Sequence, residues 1–87
     1  MKLPVRIKLE DKKLGNEVKN GMCVGLAHQG EGRIEIDPRQ SIKDRLNTVL
    51  HEGIHILDPN LPELKVRAYA NRLSDLLWRD RWRRIEK

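Results

Sequence analysis

A chain of 87 residues has room for one domain, and at that size only about 60–65% of the surface exposed by the unfolded chain becomes buried. Charged residues make up 36% and hydrophobic residues 38%; the single cysteine, Cys23, excludes an internal disulfide and with it the disulfide-rich secreted class. The formal charge of +5 gives weak attraction to anionic partners without defining a nucleic-acid site, and no apolar run reaches the ~20 residues needed to span a bilayer.

The N-terminus Met1-Lys2-Leu3-Pro4-Val5-Arg6 has no apolar signal core, so a cytoplasmic protein is expected. There is no Phe, and Tyr69, Trp78 and Trp82 are the aromatics, so the core is thin and aliphatic. Small domains of that kind often carry a staple, either disulfides or a metal; with an internal disulfide excluded, a metal remains possible.

Residues 4–10 alternate, with Val5, Ile7 and Leu9 on one face and Arg6, Lys8 and Glu10 on the other. This predicts a half-buried strand opening at Pro4, where the missing N–H costs least. Residues 11–21 are polar and read as a loop. Met22, Val24 and Leu26 alternate with the small residues Cys23, Gly25 and Ala27, then Gln29-Gly30-Glu31-Gly32 forms a turn. Arg33–Asp37 gives a further strand with Ile34 and Ile36 inward, and the last two strands form a hairpin. Ser41 is a good N-cap with Asp44 three residues on. Ile42, Leu46, Val49, Leu50, Gly53 and Leu57 then fall on one helical stripe, and Pro59 sets the limit of that helix. Leu61-Pro62-Glu63 starts a second helix, with Val66, Ala70, Leu73 and Leu77 as its apolar face. The expected fold is α+β: one domain over residues 1–87, with a small antiparallel sheet of about three strands followed by two helices on one sheet face.

Chemistry is concentrated in His51-Glu52-Gly53-Ile54-His55, an H-E-x-x-H sequence inside the first helix. Histidines at i and i+4 lie about 40° apart around the axis and one turn apart along it, so both imidazoles reach one ion. Glu52 lies about 60° further round than His55, beside the ion, where a general base takes a proton from water. The bland alternative is a pair of histidines on a helix flank with Glu52 as a solvated charge.

Residues 41–63, through Thr48-Val49-Leu50-His51-Glu52-Gly53-Ile54-His55, resemble the active-site helix and following turn of the zincin metallopeptidases. The resemblance implies zinc, one ion per chain, bound by His51 and His55, with Glu52 activating water. It also implies a third protein ligand and a fourth position left for water. The metzincin branch would place that ligand at position 61, which is Leu61. The gluzincin branch takes a Glu from a second helix, which implies Glu63, although the separation from His55 is unusually short. Asp58 is the runner-up ligand and His28 the remaining candidate. Ala70-Asn71-Arg72-Leu73 resembles the second helix of the ImmA/IrrE-like peptidases, with Tyr69 where that family has an acid, so the subfamily stays open.

Cys23 reads as a small buried hydrophobe, and Tyr69 as a core residue or an oxyanion donor. Trp78 and Trp82 cover a core end or a partner surface, and the basic tail around them is a solvated face or a phosphate-tracking one. The expected function is a minimal zinc-dependent metallopeptidase acting on a peptide or protein substrate, with residues 32–37 as the edge strand that pairs with it. Selectivity would come from shallow pockets or a protein partner, with no membrane involved. The alternatives are a non-catalytic zinc-stabilised module that binds protein or nucleic acid, and a metal-free basic adaptor.

Overall fold

The computed structural model describes residues 6–14 and 24–85. Three strands, β1 (Lys8–Asp11), β2 (Gly25–His28) and β3 (Arg33–Ile36), precede two helices, α1 (Ile42–Leu57) and α2 (Glu63–Arg79). β2 turns into β3 through a single 3-10 turn over Gln29–Glu31, closed by Gly32 at φ 60°, a left-handed conformation that costs glycine nothing. A connection that short makes β2 and β3 antiparallel, with Ala27 opposite Ile34 and His28 opposite Arg33.

β1 pairs with β3 in parallel, giving the order β1-β3-β2, so the sheet is mixed and not antiparallel as expected. Parallel neighbours need a crossover of about a dozen residues or more, and residues 12–32 supply it by including β2 itself. β3 is thereby the central strand. The first strand is also shorter than expected. Pro4 and Val5 lie outside the described residues, as do Met22 and Cys23. Ile7 packs against the core, whereas Leu9 shares the face of Ile34 yet stays exposed at the sheet edge.

Ile34 and Ile36 point inward as expected and meet Ile56 of α1, with Ile7, Ala27 and Val49 around them. On β2 the helix-facing residues are Gly25 and Ala27, while Leu26 stands outward and exposed beside Glu35. α1 starts at Ser41, whose hydroxyl accepts the Asp44 N–H at 3.1 Å, and lies across β2 and β3. α2 packs chiefly against α1. Its buried residues are Val66, Ala70 and Ser74, while Leu73, expected in the core, is 43% exposed. Ser74 takes the inward position because Asn47 of α1 donates to its hydroxyl at 2.9 Å, a polar link that a leucine cannot make. The end of α2 is a Schellman turn: Trp82 N–H reaches Leu77 O and Arg81 N–H reaches Trp78 O, with Arg81 at φ 67° where glycine is usual.

Polar anchors supplement the small core. Asp37 is 1% exposed, yet its carboxylate accepts the Arg39 guanidinium at 2.9 and 2.6 Å, the Arg39 N–H, and the Leu14 N–H at 2.9 Å. The Arg39 fork first, then the two backbone donors, hold this carboxyl far below the usual carboxylate range. Arg45 ties α1 to β1 through Asp11 at 2.7 Å. Among the described residues no helix is long and apolar enough to cross a membrane.

Candidate metal centre

His51 and His55 project from α1 one turn apart, both half-buried, with ring centroids 5.0 Å apart and planes tilted by 59°. α1 stops where Asp58 donates its backbone N–H to Ile54 O. Pro59 and Pro62 then bend the chain, Leu61 N–H reaches Asp58 O, and α2 begins on Glu63. This turn puts the Glu63 carboxylate between the two imidazoles: Oε2 is 3.0 Å from His51 Nε2, and Oε1 is 2.9 Å from His55 Nε2. One ligand atom from each of the three residues lies within 4.8 Å of the others. Three ligands held about 2.0–2.2 Å from a tetrahedral zinc sit roughly 3.3–3.6 Å from one another, so these donors fit one ion with small side-chain adjustments. Two neutral imidazoles and a carboxylate are also a suitable donor set for that ion.

Glu52 follows His51 on α1 and turns toward β2. A Cβ placed on Gly25 would fall 2.8 Å from Glu52 Cγ and 3.0 Å from its Oε2, so the strand passes directly over the carboxylate. Burial lifts the Glu52 carboxyl above its ordinary value; His51 and His55 oppose the rise and Glu63 adds to it. The carboxylate opens on a cleft of about 350 Å³ lined by Val24, Gly25, Asn47, Thr48, His51 and Arg67. Arg67 stands at i+4 from Glu63, with Nη2 3.7 Å from Glu63 Oε2. It is the cation at the rim of this cleft.

The four residues expected at the site, His51, His55, Glu63 and Glu52, therefore come together. Asp58 does not join them: it is exposed and serves as the C-cap of α1. His28 does not either. The β2–β3 register puts it on the sheet face away from α1, where Nε2 lies 2.9 Å from Glu35 Oε1. Glu35 is 6% exposed there, and its carboxyl is lowered first by His28, then by Lys12 and Arg33, against the cost of burial. Tyr69 is exposed on α2 and is not a core residue. Cys23 lies outside the described residues. Arg83 lies over the Trp78 ring, 3.4 Å from its centroid, so that ring face is taken within the chain.

Two features of the site are not evident from the sequence pattern alone. Gly25 is the close-approach point, and the alternation of Cys23, Gly25 and Ala27 is the available signal, since small residues at every second position mark a strand face pressed by a neighbour. Arg67 is visible in the sequence only as an i+4 partner of Glu63. Comparison with known protein families, with curated proteins and with solved structures found no match for this chain.

Proposed function

We propose that the protein is a minimal zinc-dependent metallopeptidase. The observation that carries this reading is the convergence of His51, His55 and Glu63 on one point, with the Glu52 carboxylate half-buried beside them. His51, His55 and Glu63 are the residues that would hold the ion. When bound, zinc supplies a Lewis acid that polarises a scissile carbonyl and lowers the pKa of water. Glu52 then accepts the proton of the attacking water and returns it to the departing amine.

Substrate placement differs from the sequence expectation. β3 is central, so residues 32–37 offer no edge to a peptide. Among the described strands β2 lies at the end of the order and carries Gly25 against Glu52, so it is the strand nearest the base. For the nucleic-acid alternative, Arg83 covers one face of Trp78 and leaves Trp82 as the exposed ring.

Replacing Glu52 by Gln tests the reading. The purified protein is expected to hold about one zinc per chain, and Glu52→Gln is expected to keep that zinc while peptide cleavage falls roughly 10²–10⁴-fold. A broad peptide library supplies the substrate. Loss of zinc from Glu52→Gln would make the glutamate a ligand and leave the mechanism without a base; a library untouched by the zinc-loaded parent protein would count against peptidase activity.

A further inference from the structure

α2 carries a second apolar stripe that the fold does not use. Tyr69, Leu73 and Leu76 are 46%, 43% and 53% exposed, at i, i+4 and i+7. At about 100° per residue they span about 60° of the helix, centred roughly 100° from the Ala70 side that faces α1. Glu63 lies about 120° from Tyr69 around the same axis, so the stripe and the candidate metal centre occupy different sides.

The charges at the two ends of the stripe are opposite. Lys65 lies one turn before Tyr69, about 50° from the stripe's centre line, and Asp80, the C-cap, lies one turn after Leu76 and about 10° from it. Reading along α2 gives Lys65, Tyr69, Leu73, Leu76, Asp80: basic, three apolar, acidic. Such an order repels a parallel copy of itself and matches an antiparallel one. Turned end for end about a point near residue 73, Lys65 meets Asp80 of the second copy, Tyr69 meets Leu76, and Leu73 lies at the centre. Arg72 lies at the margin of the stripe, and its guanidinium folds back to donate to Ala68 O at 3.3 Å, on the side away from Leu73. Trp82 extends the acidic end: the residue is 63% exposed and its indole N–H donates to Asp80 Oδ2 at 3.0 Å.

We propose that the partner for this face is a second copy of the chain, bound through α2 in an antiparallel two-fold dimer. A two-fold interface is self-complementary by construction, and this stripe has that property in both its apolar and its charged positions. The interface is small, so the dimer is a weak, reversible one.

Sedimentation equilibrium over a range of protein concentrations, at low and moderate salt, tests this. The parent protein is expected to dimerise, and Leu76→Glu to weaken dimerisation on the order of 10-fold or more. Lys65→Asp and Asp80→Lys each place like charges at both ends of the dimer and should dissociate it. Mixing these two single variants sets an acid against a base at both ends of the mixed dimer, so the mixture should associate although neither variant does alone. Circular dichroism of each variant separates loss of association from loss of fold. A monomeric parent protein at every concentration, or variants that fail to associate when mixed, would overturn the proposal. So would a dimer insensitive to Leu76→Glu.

Discussion

Gly25→Ala adds one methyl group at the place where β2 crosses α1, and the structure sets its cost. The new Cβ would fall 2.5 Å from Thr48 Cγ2, 2.8 Å from Glu52 Cγ and 3.0 Å from Glu52 Oε2. Glu52 can swing its carboxylate aside, but Thr48 cannot turn. Its hydroxyl donates toward Gln40 Oε1 at 2.7 Å and lies 3.0 Å from Asp44 O, which fixes the rotamer and aims Cγ2 at the strand. β2 must therefore lift away from α1, loosening Ala27 against the Ile34–Ile36–Ile56 cluster. Overpacking of this kind costs about 1–3 kcal/mol. In a domain of this size that lowers Tm by roughly 5–20 °C. Thr48→Ser supplies the control, since it keeps the hydroxyl and removes the clashing methyl group. The double variant Gly25→Ala/Thr48→Ser should be more stable than the sum of the single changes by about 1 kcal/mol, read by thermal and urea melts. Cleavage should fall even in the double variant, because the Glu52 side chain is still displaced. A Gly25→Ala protein that melts with the parent protein, or single changes that simply add, would refute the close approach on which the position of Glu52 rests.

Glu63→Gln should weaken zinc binding on the order of 10-fold or more in a competition titration, while Asp58→Asn leaves it near the parent value; the reverse order would move the third ligand to the turn. Acid should destabilise the fold through Asp37. Its folded-state pKa is depressed, so its contribution is complete above the unfolded value of about 3.9 and drains away as pH falls below it. Urea melts between pH 7 and pH 2.5 should show that decline, and Asp37→Asn, weaker at pH 7, should flatten it; equal slopes for the two proteins would show that Asp37 is not responsible.

The elements are legible where a local signal decides them. Ser41, the stripe through Val49 and the stop before Pro59 place α1 from its own residues, and with it the spacing of His51, Glu52 and His55. The turn through Pro59 and Pro62 makes Glu63 reachable as a third donor. What the sequence withholds is set by packing between elements. Nothing local to residues 8–11 says that they pair with β3 in parallel, because that choice depends on how the chain between them crosses. Hydropathy alone favours Leu73 over Ser74 for the inward position, yet the hydrogen bond from Asn47 turns α2 so that Ser74 is inside. The same rotation exposes Leu73 and leaves a continuous apolar edge on α2.

The candidate centre spans the α1–α2 turn, where one side of each helix is buried and the other is not. Among the described residues the buried apolar ones are Ile34, Ile36, Ile56, Val66 and Ala70; Ile56 and Val66 flank the α1–α2 turn from inside, whereas Leu57 and Leu64, on either side of it, are 46% and 76% exposed. At that end the helices are joined by the His51–Glu63 and His55–Glu63 contacts. Those contacts are half-exposed and between groups that water solvates well, so they hold the turn weakly. An ion bound by all three side chains would join the same two helices far more firmly, and its binding would add to folding stability by mass action, about 2.7 kcal/mol at a free concentration one hundred times Kd. In a domain whose core is this thin, a metal at the α1–α2 turn would therefore serve the fold and the chemistry through the same three residues. That is also why Glu52, which does not reach the group, is the residue whose replacement separates the two roles.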